Sequence, residues 1–287
     1  MSSTKHIKLV ECPRDAMQGW AHFIPTEKKI AYLNSLLKVG FDTIDFGSFV
    51  SPKAIPQMAD TKEVLAGLKL NDTVSKLLAI IANKRGAEEA LQHESISYLG
   101  FPFSISETFQ QRNTNASIEA SLDTVKAIQE LCVLHKRELV VYISMGFGNP
   151  YGDIYHEDLV MQYVQKMVDL KINTVSIADT VGLATPEQVS AVMTKVIPAF
   201  PQTEIGVHLH SAPGNRIQKL DAALEAGCTR FDAAIKGIGG CPMAGDDLVG
   251  NMDTEVMVDH FTKKGYAPGL DRDTLAACSV QASGVFI

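Results

Sequence analysis

The chain has 287 residues, of which 46% are hydrophobic and 21% are charged. This composition is typical of a globular protein that is long enough to bury a sizeable core. The formal net charge of −7 argues against a nucleic-acid binder or a binder of anionic membranes, because such proteins carry basic patches. We therefore expect no nucleic-acid and no membrane partner, while a local basic pocket could still bind a phosphorylated small molecule.

The cysteines and the N-terminal segment indicate an intracellular protein. Five cysteines are present, an odd number, and no two have the CxxC spacing, which favours reduced thiols. The chain passes almost directly into a strand-like run, without the apolar stretch of a signal peptide. No apolar run approaches the roughly 18 residues that a membrane span needs. The expected location is the cytoplasm.

Short β-rich runs alternate with longer stretches of helical spacing along the chain. The strand-like runs cover residues 7–11, 43–49, 76–82, 95–101, 139–148, 174–180, 205–211 and 230–240. The helical candidates cover residues 26–40, 117–136, 185–197 and 214–227. The first candidate begins with a Thr cap and closes with Gly, the second opens with Ser and acidic residues, and the third opens with Thr followed by Pro.

About eight such β-then-α units predict a parallel sheet, and their number fits a (β/α)8 TIM barrel. We interpret residues 1–287 as one barrel catalytic domain with a short C-terminal helical extension. A doubly wound open sheet is the alternative. That fold usually places a Gly-rich phosphate loop after its first strand, and the first strand here is followed by CPRDAMQGW, which has no such pattern.

Polar residues cluster where the predicted strands end. A barrel places its catalytic groups at the carboxyl ends of the strands and in the loops that follow them. The polar residues at these positions are Glu11, Arg14, Asp15, Asp45, Ser48, Glu107, Arg112, Asp179, Thr180, His208, His210 and Cys241. Their placement predicts one active site at this end of the barrel.

Two histidines lie two residues apart in the strand-like sequence GVHLHS. Alternation places His208 and His210 on the same face of the strand. They could be hydrogen-bonded core residues, but a pair at this spacing and at a strand end favours metal binding. Asp15, just past the first strand, is the best candidate for a third ligand across the barrel mouth. The adjacent Arg14 offers a fixed, charged fork for a carboxylate or an oxyanion, or it forms a structural ion pair.

A glycine-rich stretch at residues 236–255 predicts a flexible loop that can close over a ligand. It carries one thiol, Cys241. Buried cysteines usually serve packing, but a cysteine between Gly and Pro in a polar loop favours a reactive thiol that acts as acid or base. Asn251 and Glu255 follow, and Glu255 is expected in the first turn of the next helix.

Several of these motifs resemble one known family. The segments PRDAMQ (13–18), FVSPKAIPQMAD (49–60), DTVGLATP (179–186), VHLH (207–210) and GGCP…GN…TE (239–255) resemble the 3-hydroxy-3-methylglutaryl-CoA lyases. The resemblance covers nearly the whole chain. The GGCP motif and the SFVSPK motif are its specific parts, while PRD and HLH are shared with isopropylmalate and homocitrate synthases and with hydroxy-oxo-acid aldolases.

The resemblance implies cleavage of 3-hydroxy-3-methylglutaryl-CoA, or a close 3-hydroxyacyl-CoA, to acetyl-CoA and acetoacetate or a related oxo acid. It implies that Mg²⁺ or Mn²⁺ is bound by a set of four ligands. These are Asp15, His208, His210 and Asn251. The implied partners are an acyl-CoA substrate and a second copy of the chain in a homodimer, and leucine degradation and ketone formation are both open as pathways.

The resemblance also implies roles for the other residues. Arg14 stabilises the enolate of the departing acetyl-CoA, and Cys241 and His208 handle proton transfer. Asp179 and Glu255 orient the metal ligands. We assign Asp45 to the catalytic group as well, and we expect Gln18, Ser48 and Thr180 to contribute to cofactor binding. Lys28, Lys29 and Lys53 are candidates for contacts with the CoA phosphates.

Three departures from the family pattern leave the exact acyl-CoA open. Asp45 stands where the family commonly has Glu, Ser211 stands where Asp commonly follows HLH, and the loop at 242–249 is longer and more acidic. Two alternative functions remain. One is a condensing synthase or hydroxy-oxo-acid aldolase of the same superfamily. The other, from a different class, is a catalytically idle barrel that binds a metal or an acyl-CoA.

Overall fold

A computed structural model of the chain describes residues 6–240, 249–266 and 268–287. Its parallel strands form a closed barrel in the order β1 to β8. The strands are β1 Lys8–Glu11, β2 Thr43–Ser48, β3 Lys76–Ile80, β4 Ile96–Ser104, β5 Glu138–Ser144, β6 Thr174–Ala178, β7 Glu204–His208 and β8 Arg230–Ala233. Strand β8 pairs with β1 from Lys8 opposite Arg230 to Glu11 opposite Ala233. This closure confirms the barrel and excludes the open sheet.

Helices connect the strands and surround the barrel. Those in the described part of the chain are α1 Pro13–Gln18, α2 Thr26–Leu36, α3 Thr61–Ala66, α4 Lys84–Ala90, α5 Glu107–Thr114, α6 Ile118–Leu134, α7 Glu157–Asp169, α8 Pro186–Ala199, α9 Arg216–Glu225, α10 Thr254–Lys263 and α11 Arg272–Val285. Within residues 6–240, 249–266 and 268–287, two short 3-10 helices span Pro56–Met58 and Ile235–Gly237. None of the described helices is long and apolar enough to cross a membrane.

Side-chain caps explain most of the helix starts. Ser117 accepts a hydrogen bond from Ala120 N–H at the start of α6, and Thr185 forms a capping box with Gln188 at the start of α8, as the sequence predicted. The predicted Thr cap of α2 is wrong. The cap position belongs to Pro25, and the Thr26 hydroxyl instead donates to Asp60 Oδ2 at 2.7 Å.

The last strand is shorter than its sequence indicated. The apolar pattern over 230–240 predicted one long strand, but β8 ends at Ala233 and a 3-10 turn follows. Lys236 has a φ of 59° and Gly237 a φ of 63°, so the backbone turns through the left-handed region there. This turn starts the glycine-rich segment that leads toward Cys241.

Two apolar layers hold the barrel together. The larger one lies between strands and helices and includes Leu77, Phe101 and Val141. A separate cluster, formed by Leu78, Ile80, Tyr98, Val140 and Tyr142, uses the alternate residues of β3, β4 and β5. Because alternate residues of a strand face opposite sides, this second cluster fills the barrel interior.

The predicted C-terminal extension is α11, which follows the helix of the eighth unit. It packs on α2. Its buried residues include Leu275, Cys278 and Ala282. At its end, the ring of Phe286 meets the ring of Trp20 edge-on, with centroids 5.3 Å apart. The extension therefore packs on α2 at the side of the barrel, and its end contacts Trp20.

Candidate active site

A cavity of about 510 Å³ opens at the carboxyl ends of the strands. Most of the site residues predicted from the sequence line it: Arg14, Asp15, Gln18, Asp45, Thr180, His208 and His210. An apolar wall faces them, formed by residues that include Val50, Ile55, Ile80, Pro102 and Phe109. The cavity thus combines a charged floor with an apolar side, as a site for an acyl group with a polar reacting end requires.

Asp15, His208 and His210 converge at one point of this cavity. Their ligand atoms all lie within 4.8 Å of one another; Asp15 and His210 are buried, and the His208 side chain is 12% exposed. The two imidazole rings stand perpendicular, with centroids 5.2 Å apart. Strand alternation had predicted that the histidines share a face, and the short helix α1 brings Asp15 to them directly after β1.

The hydrogen bond of His210 fixes its tautomer. Its Nδ1 lies 2.7 Å from the backbone carbonyl oxygen of Asp179. A carbonyl oxygen only accepts, so Nδ1 carries the proton and Nε2 keeps its lone pair. Burial, together with the charge of His208, lowers the pKa of His210, which favours the neutral ring. Nε2 is buried and has no hydrogen-bond partner among the described residues, which is the state expected of a metal ligand.

His208 is held from the neighbouring strand. Its Nδ1 lies 3.2 Å from Oδ2 of Asp232, which is its register partner in β8. Burial works against the charged ring, but the hydrogen bond and the charge of Asp232 outweigh it and raise the pKa of His208. A carboxylate on Nδ1 directs Nε2 toward the cavity. Asp232 was not singled out from the sequence.

Asp15 is surrounded by donors. Its Oδ1 accepts from Arg14 Nη1 at 3.0 Å and from Gln18 Nε2 at 3.0 Å, and its Oδ2 accepts from Asn251 Nδ2 at 2.8 Å. Burial alone would raise the pKa of Asp15, but the charges of Arg14, His208 and His210 and the bond from Asn251 lower it. Asp15 is therefore ionised and available as a ligand.

Arg14 is clamped between two carboxylates. Its Nε lies 3.0 Å from Asp45 Oδ2 and its Nη1 lies 2.8 Å from Gln18 Oε1. Burial opposes the charge of Arg14, but Asp45 and Asp15 outweigh it and raise the pKa. Burial raises the pKa of Asp45 to about 6, against the lowering effect of Arg14. This fork holds the guanidinium beside the proposed ligands, with little freedom to move.

Asn251 reaches the site from the far end of the glycine-rich segment. Its backbone bridges to His210, and its Nδ2 donates to Asp15 Oδ2 and, at 2.9 Å, to the carbonyl oxygen of Ile238. Both bonds use the amide nitrogen, so the amide oxygen is the atom that could bind a cation. The predicted fourth ligand is thus in contact with Asp15 and with His210.

Asp179 acts through its backbone rather than its carboxylate. Its carbonyl oxygen accepts from His210, while the carboxylate accepts from Ala184 N–H at 3.0 Å and pairs with Lys219 Nζ at 2.7 Å. Lys219 is completely buried in α9 and was not singled out from the sequence. Lys219 lies in an amphipathic helix between Gln218 and Leu220. This local sequence does not indicate that its partner is Asp179, which follows β6.

Ser48 and Glu255 are predicted site residues that do not line the cavity. The Ser48 hydroxyl accepts from Val50 N–H at 3.1 Å, and the backbone N–H of Ser48 donates to Thr61 Oγ1. Glu255 lies in the first turn of α10, as predicted, and accepts from Lys236 N–H at 2.9 Å. It supports the turn after β8 instead of a metal ligand. Cys241 lies outside the described residues.

Other strand-end residues also have structural partners. Glu11 is buried and accepts from Ile235 N–H at 2.8 Å and from Thr254 Oγ1 at 2.6 Å, away from the cavity. Glu107 accepts from Ile118 N–H. Ser211 is buried and accepts from Arg216 Nε at 3.4 Å. Arg112 does line the cavity, and its guanidinium lies 4.7 Å from the centre of the Tyr151 ring.

The four predicted ligands fit a hard divalent cation. One ionised carboxylate, two imidazole nitrogens and an amide oxygen are the mixed oxygen and nitrogen donors that Mn²⁺ and Mg²⁺ accept when water or substrate completes the shell. The described residues offer one further grouping, Cys12 with His208 and Asp232. Burial raises the pKa of the Cys12 thiol well above its ordinary value, so Cys12 stays protonated and is a poor ligand.

Comparisons with known proteins show which family the chain belongs to. The HMGL-like family model matches residues 7–281. A hydroxymethylglutaryl-CoA lyase of Bacillus subtilis is 33% identical over 249 residues, covering 86% of this chain and 81% of the relative. A 3-hydroxy-3-isohexenylglutaryl-CoA/hydroxymethylglutaryl-CoA lyase of Pseudomonas aeruginosa is 32% identical over 256 residues, covering 89% and 84%.

A solved structure shares the fold of this chain over the whole length of this chain. It is an HMG-CoA lyase from Acinetobacter baumannii in complex with coenzyme A and 3-methylmalate, with a TM-score of 0.91 and 31% identity, covering 100% of this chain and 93% of the other. The match extends through all eight units, and it includes the region of the strand ends where the candidate site lies. Together with the family model, this similarity shows that the chain belongs to the HMGL-like family.

Proposed function

We propose that this protein is a metal-dependent carbon–carbon lyase that cleaves 3-hydroxy-3-methylglutaryl-CoA to acetyl-CoA and acetoacetate. The observation that carries the proposal is the convergence of Asp15, His208 and His210 within 4.8 Å, beside Arg14, on the floor of the strand-end cavity. Relatives in two bacteria are named as lyases of this substrate. A close substrate with a larger group on C3 belongs to the same proposal.

The proposed reaction is a retro-Claisen cleavage. The C3 hydroxyl loses its proton, its oxygen forms a carbonyl, and the C2–C3 bond breaks. The electron pair of that bond passes to the thioester as an enolate, and a proton delivered to C2 yields acetyl-CoA. No oxidant or reductant is consumed. The site must therefore stabilise a negative charge and move one proton out and one proton in.

Arg14 would stabilise the enolate. Asp45, Asp15 and Gln18 fix the guanidinium in one orientation. Its remaining N–H donor would therefore meet the enolate without a change of side-chain rotamer. Preorganised donors of this kind typically contribute about 10²- to 10³-fold to turnover. The position of Arg14 in α1, directly after β1, places it on the same side as the proposed ligands.

Asp15, His208, His210 and Asn251 would hold Mg²⁺ or Mn²⁺. When bound, the cation would supply Lewis acidity and a template for the oxygen atoms of the substrate. Asp232 and the carbonyl of Asp179 hold the protons on the Nδ1 atoms of His208 and His210, so that both Nε2 atoms face the site. We propose that His208 and Cys241 carry out the proton transfers, with the His208 ring held by its hydrogen bond to Asp232.

The cavity walls suggest where the rest of the substrate lies. The apolar side with Val50, Ile55 and Phe109 would accommodate the C3 substituent and the start of the pantetheine arm. Arg112 at the cavity is an exposed cation that could contact a CoA phosphate. The prediction that Lys29 contacts a CoA phosphate is wrong, because its ammonium is buried and pairs with Asp60 at 2.7 Å.

We also propose that the protein works as a homodimer in the cytoplasm and serves leucine degradation. These proposals rest on the family resemblance and on the cysteine pattern rather than on the site. Sedimentation equilibrium of the purified protein tests the first, with a mass of twice 31.2 kDa expected. A monomer at micromolar concentration would contradict it.

The experiment for the lyase activity separates it from the alternatives. Purified protein with Mn²⁺ receives 3-hydroxy-3-methylglutaryl-CoA, and acetyl-CoA and acetoacetate are quantified by mass spectrometry; equal amounts of both are expected. In a parallel reaction the protein receives acetyl-CoA with 2-oxo acids. Condensation products there, without cleavage in the first reaction, would support a synthase. No product in either, with Mn²⁺ bound, would support an idle barrel.

A further inference from the structure

Lys219 is a buried lysine directly behind the candidate metal site. It lies in α9, with its side chain 0% exposed. Its Nζ donates to three acceptors: Asp179 Oδ2 at 2.7 Å, the carbonyl oxygen of His210 at 2.8 Å and the carbonyl oxygen of Gly182 at 3.4 Å. An ammonium has three protons, so its donor capacity is fully used.

These acceptors lie at the ends of two neighbouring strands. Asp179 follows β6, and His210 follows β7. The same two residues are joined by the bond from His210 Nδ1 to the Asp179 carbonyl oxygen. Lys219 therefore ties together both partners of the bond that orients the His210 ring. If the two strand ends separated by a few tenths of an ångström, Nε2 of His210 would move with them.

The hydrogen bond from Lys219 to the Gly182 carbonyl oxygen also connects it to the segment that carries Asn251. Gly182 has a φ of 72°, and a Cβ at this residue would lie 2.7 Å from Val249. Val249 is two residues before Asn251, whose backbone bridges to His210. Lys219 thus bonds the backbone of His210 directly and is linked to the segment before Asn251 through Gly182.

Stability alone gives little reason for a buried ion pair at this place. Removing two charges from water is costly, and a well-packed apolar pair of similar volume is often as stable or more stable. A pair that is retained in such a position can instead specify one geometry. Here the geometry it specifies is that of the His210 imidazole.

We propose that Lys219 is a positioning residue that sets the cation affinity of the site by fixing His210 against Asp15. This inference rests on the proposed metal site. Lys219 does not touch the cation or the substrate. It acts through the Asp179 carbonyl oxygen and the His210 backbone, and partners of this kind typically change metal affinity by about 10- to 100-fold when they are removed.

The test is the Mn²⁺ dissociation constant of the purified protein, measured by electron paramagnetic resonance of free Mn²⁺ without substrate. Lys219→Met leaves the Asp179 carboxylate buried without its cation, so this variant could lose its fold. The double variant Lys219→Met/Asp179→Asn removes both charges, keeps the local net charge and keeps the Asp179 carbonyl oxygen. We expect it to fold, and we expect its dissociation constant to rise by about 10- to 100-fold.

The matched control is a second buried lysine pair away from the ligands. Lys29 is 2% exposed and pairs with Asp60 at 2.7 Å on the α2 side of the barrel. Lys29→Met/Asp60→Asn removes the same kind of pair and should lower the melting temperature without changing the Mn²⁺ dissociation constant. An equal rise in both double variants would show a general loss of rigidity and would overturn the role of Lys219.

Other outcomes also decide. A folded Lys219→Met/Asp179→Asn protein with wild-type Mn²⁺ affinity overturns the proposal while leaving the metal site intact. Loss of fold in both Lys219 variants overturns it as well, since Lys219 would then be needed for folding rather than for the position of one ligand. If the wild-type protein binds no Mn²⁺, the metal site itself is wrong and the inference falls with it.

Discussion

The Nδ1 atom of His208 lies 3.2 Å from Oδ2 of Asp232, its register partner on the neighbouring strand β8. The bond presents the opposite ring nitrogen to the cavity. The Asp232 side chain is completely buried, and its Oδ1 has no hydrogen-bond partner among the described residues. Within the described part of the chain, the carboxylate therefore bonds only the imidazole of His208. Asp232 therefore controls a proposed ligand from outside the ligand set.

Asp232→Asn should weaken Mn²⁺ binding by about 10- to 100-fold. The variant loses the charge that holds the proton on Nδ1, and the pKa of His208 should fall. Mn²⁺ titration followed by electron paramagnetic resonance measures the affinity. Asp221→Asn is the control, since Asp221 pairs with His260 at 2.7 Å on the outer helices. Unchanged affinity in Asp232→Asn would show that Asp232 does not orient the ligand.

Arg14→Met should lower kcat by about 10²- to 10³-fold, since the variant loses the fixed donor for the enolate. Mn²⁺ binding should persist, because Asp15 and both histidines remain. Steady-state cleavage and Mn²⁺ titration give the two values separately. Arg272→Met removes an exposed arginine that pairs with Asp259 and should behave as wild type. Wild-type turnover in Arg14→Met would remove Arg14 from the mechanism.

Glu11 should make the stability of the protein fall as the pH rises. Burial raises its pKa from 4.5 to about 8, against the bonds from Thr254 and Ile235. Between these two values the folded state binds more protons than the unfolded state, so raising the pH favours unfolding. The stabilising contribution is complete below about pH 4.5 and is lost by about pH 8, with a slope of at most about 1.4 kcal/mol per pH unit.

Glu11→Gln cannot ionise, and its amide oxygen can still accept from Ile235 N–H while its amide nitrogen can donate to Thr254 Oγ1. Its free energy of unfolding, measured with urea at several pH values, should fall less steeply between pH 5 and 8 than that of the wild type. Parallel pH dependence in the two proteins would mean that Glu11 titrates at its ordinary pKa.

Gly182→Ala should lower the melting temperature more than Gly152→Ala. Both glycines have positive φ, 72° and 77°, so both variants carry the same kind of backbone strain. A Cβ at Gly182 would also lie 2.7 Å from Val249, while a Cβ at Gly152 would meet nothing within 4 Å. Differential scanning fluorimetry of the two variants isolates this contact. Equal losses would indicate that the segment at Val249 moves aside freely.

The alternation of β-rich and helical segments predicted the barrel. The alternation of side chains along a strand predicted that His208 and His210 share a face. The strand-end rule then selected Asp15 and Arg14, because both follow β1 directly. The rule could not separate Asp45, which lines the cavity, from Ser48, which does not. The register of β2 shifts between Asp45 and Gly47, and such a shift leaves no pattern in the sequence.

Sequence patterns could not predict contacts between side chains on different strands or helices. Asp232 contacts His208 only because β7 and β8 pair in one register, and Lys219 reaches Asp179 only because α9 packs behind β6 and β7. Glu255 was placed in the correct turn of α10, yet its carboxylate turns toward Lys236. These contacts depend on tertiary packing, which a single sequence does not display.

The central claim is that Asp15, His208, His210 and Asn251 form the cation site of a lyase, and its most direct test is the cation dependence of cleavage. Protein treated with a chelator receives Mn²⁺ in steps, and bound Mn²⁺ and acetoacetate formation from 3-hydroxy-3-methylglutaryl-CoA are measured in the same samples. The predicted result is one half-saturation point for binding and cleavage, which His210→Ala shifts upward for both together. Full cleavage by the cation-free protein, or cleavage in His210→Ala at the wild-type Mn²⁺ concentration, would contradict the claim.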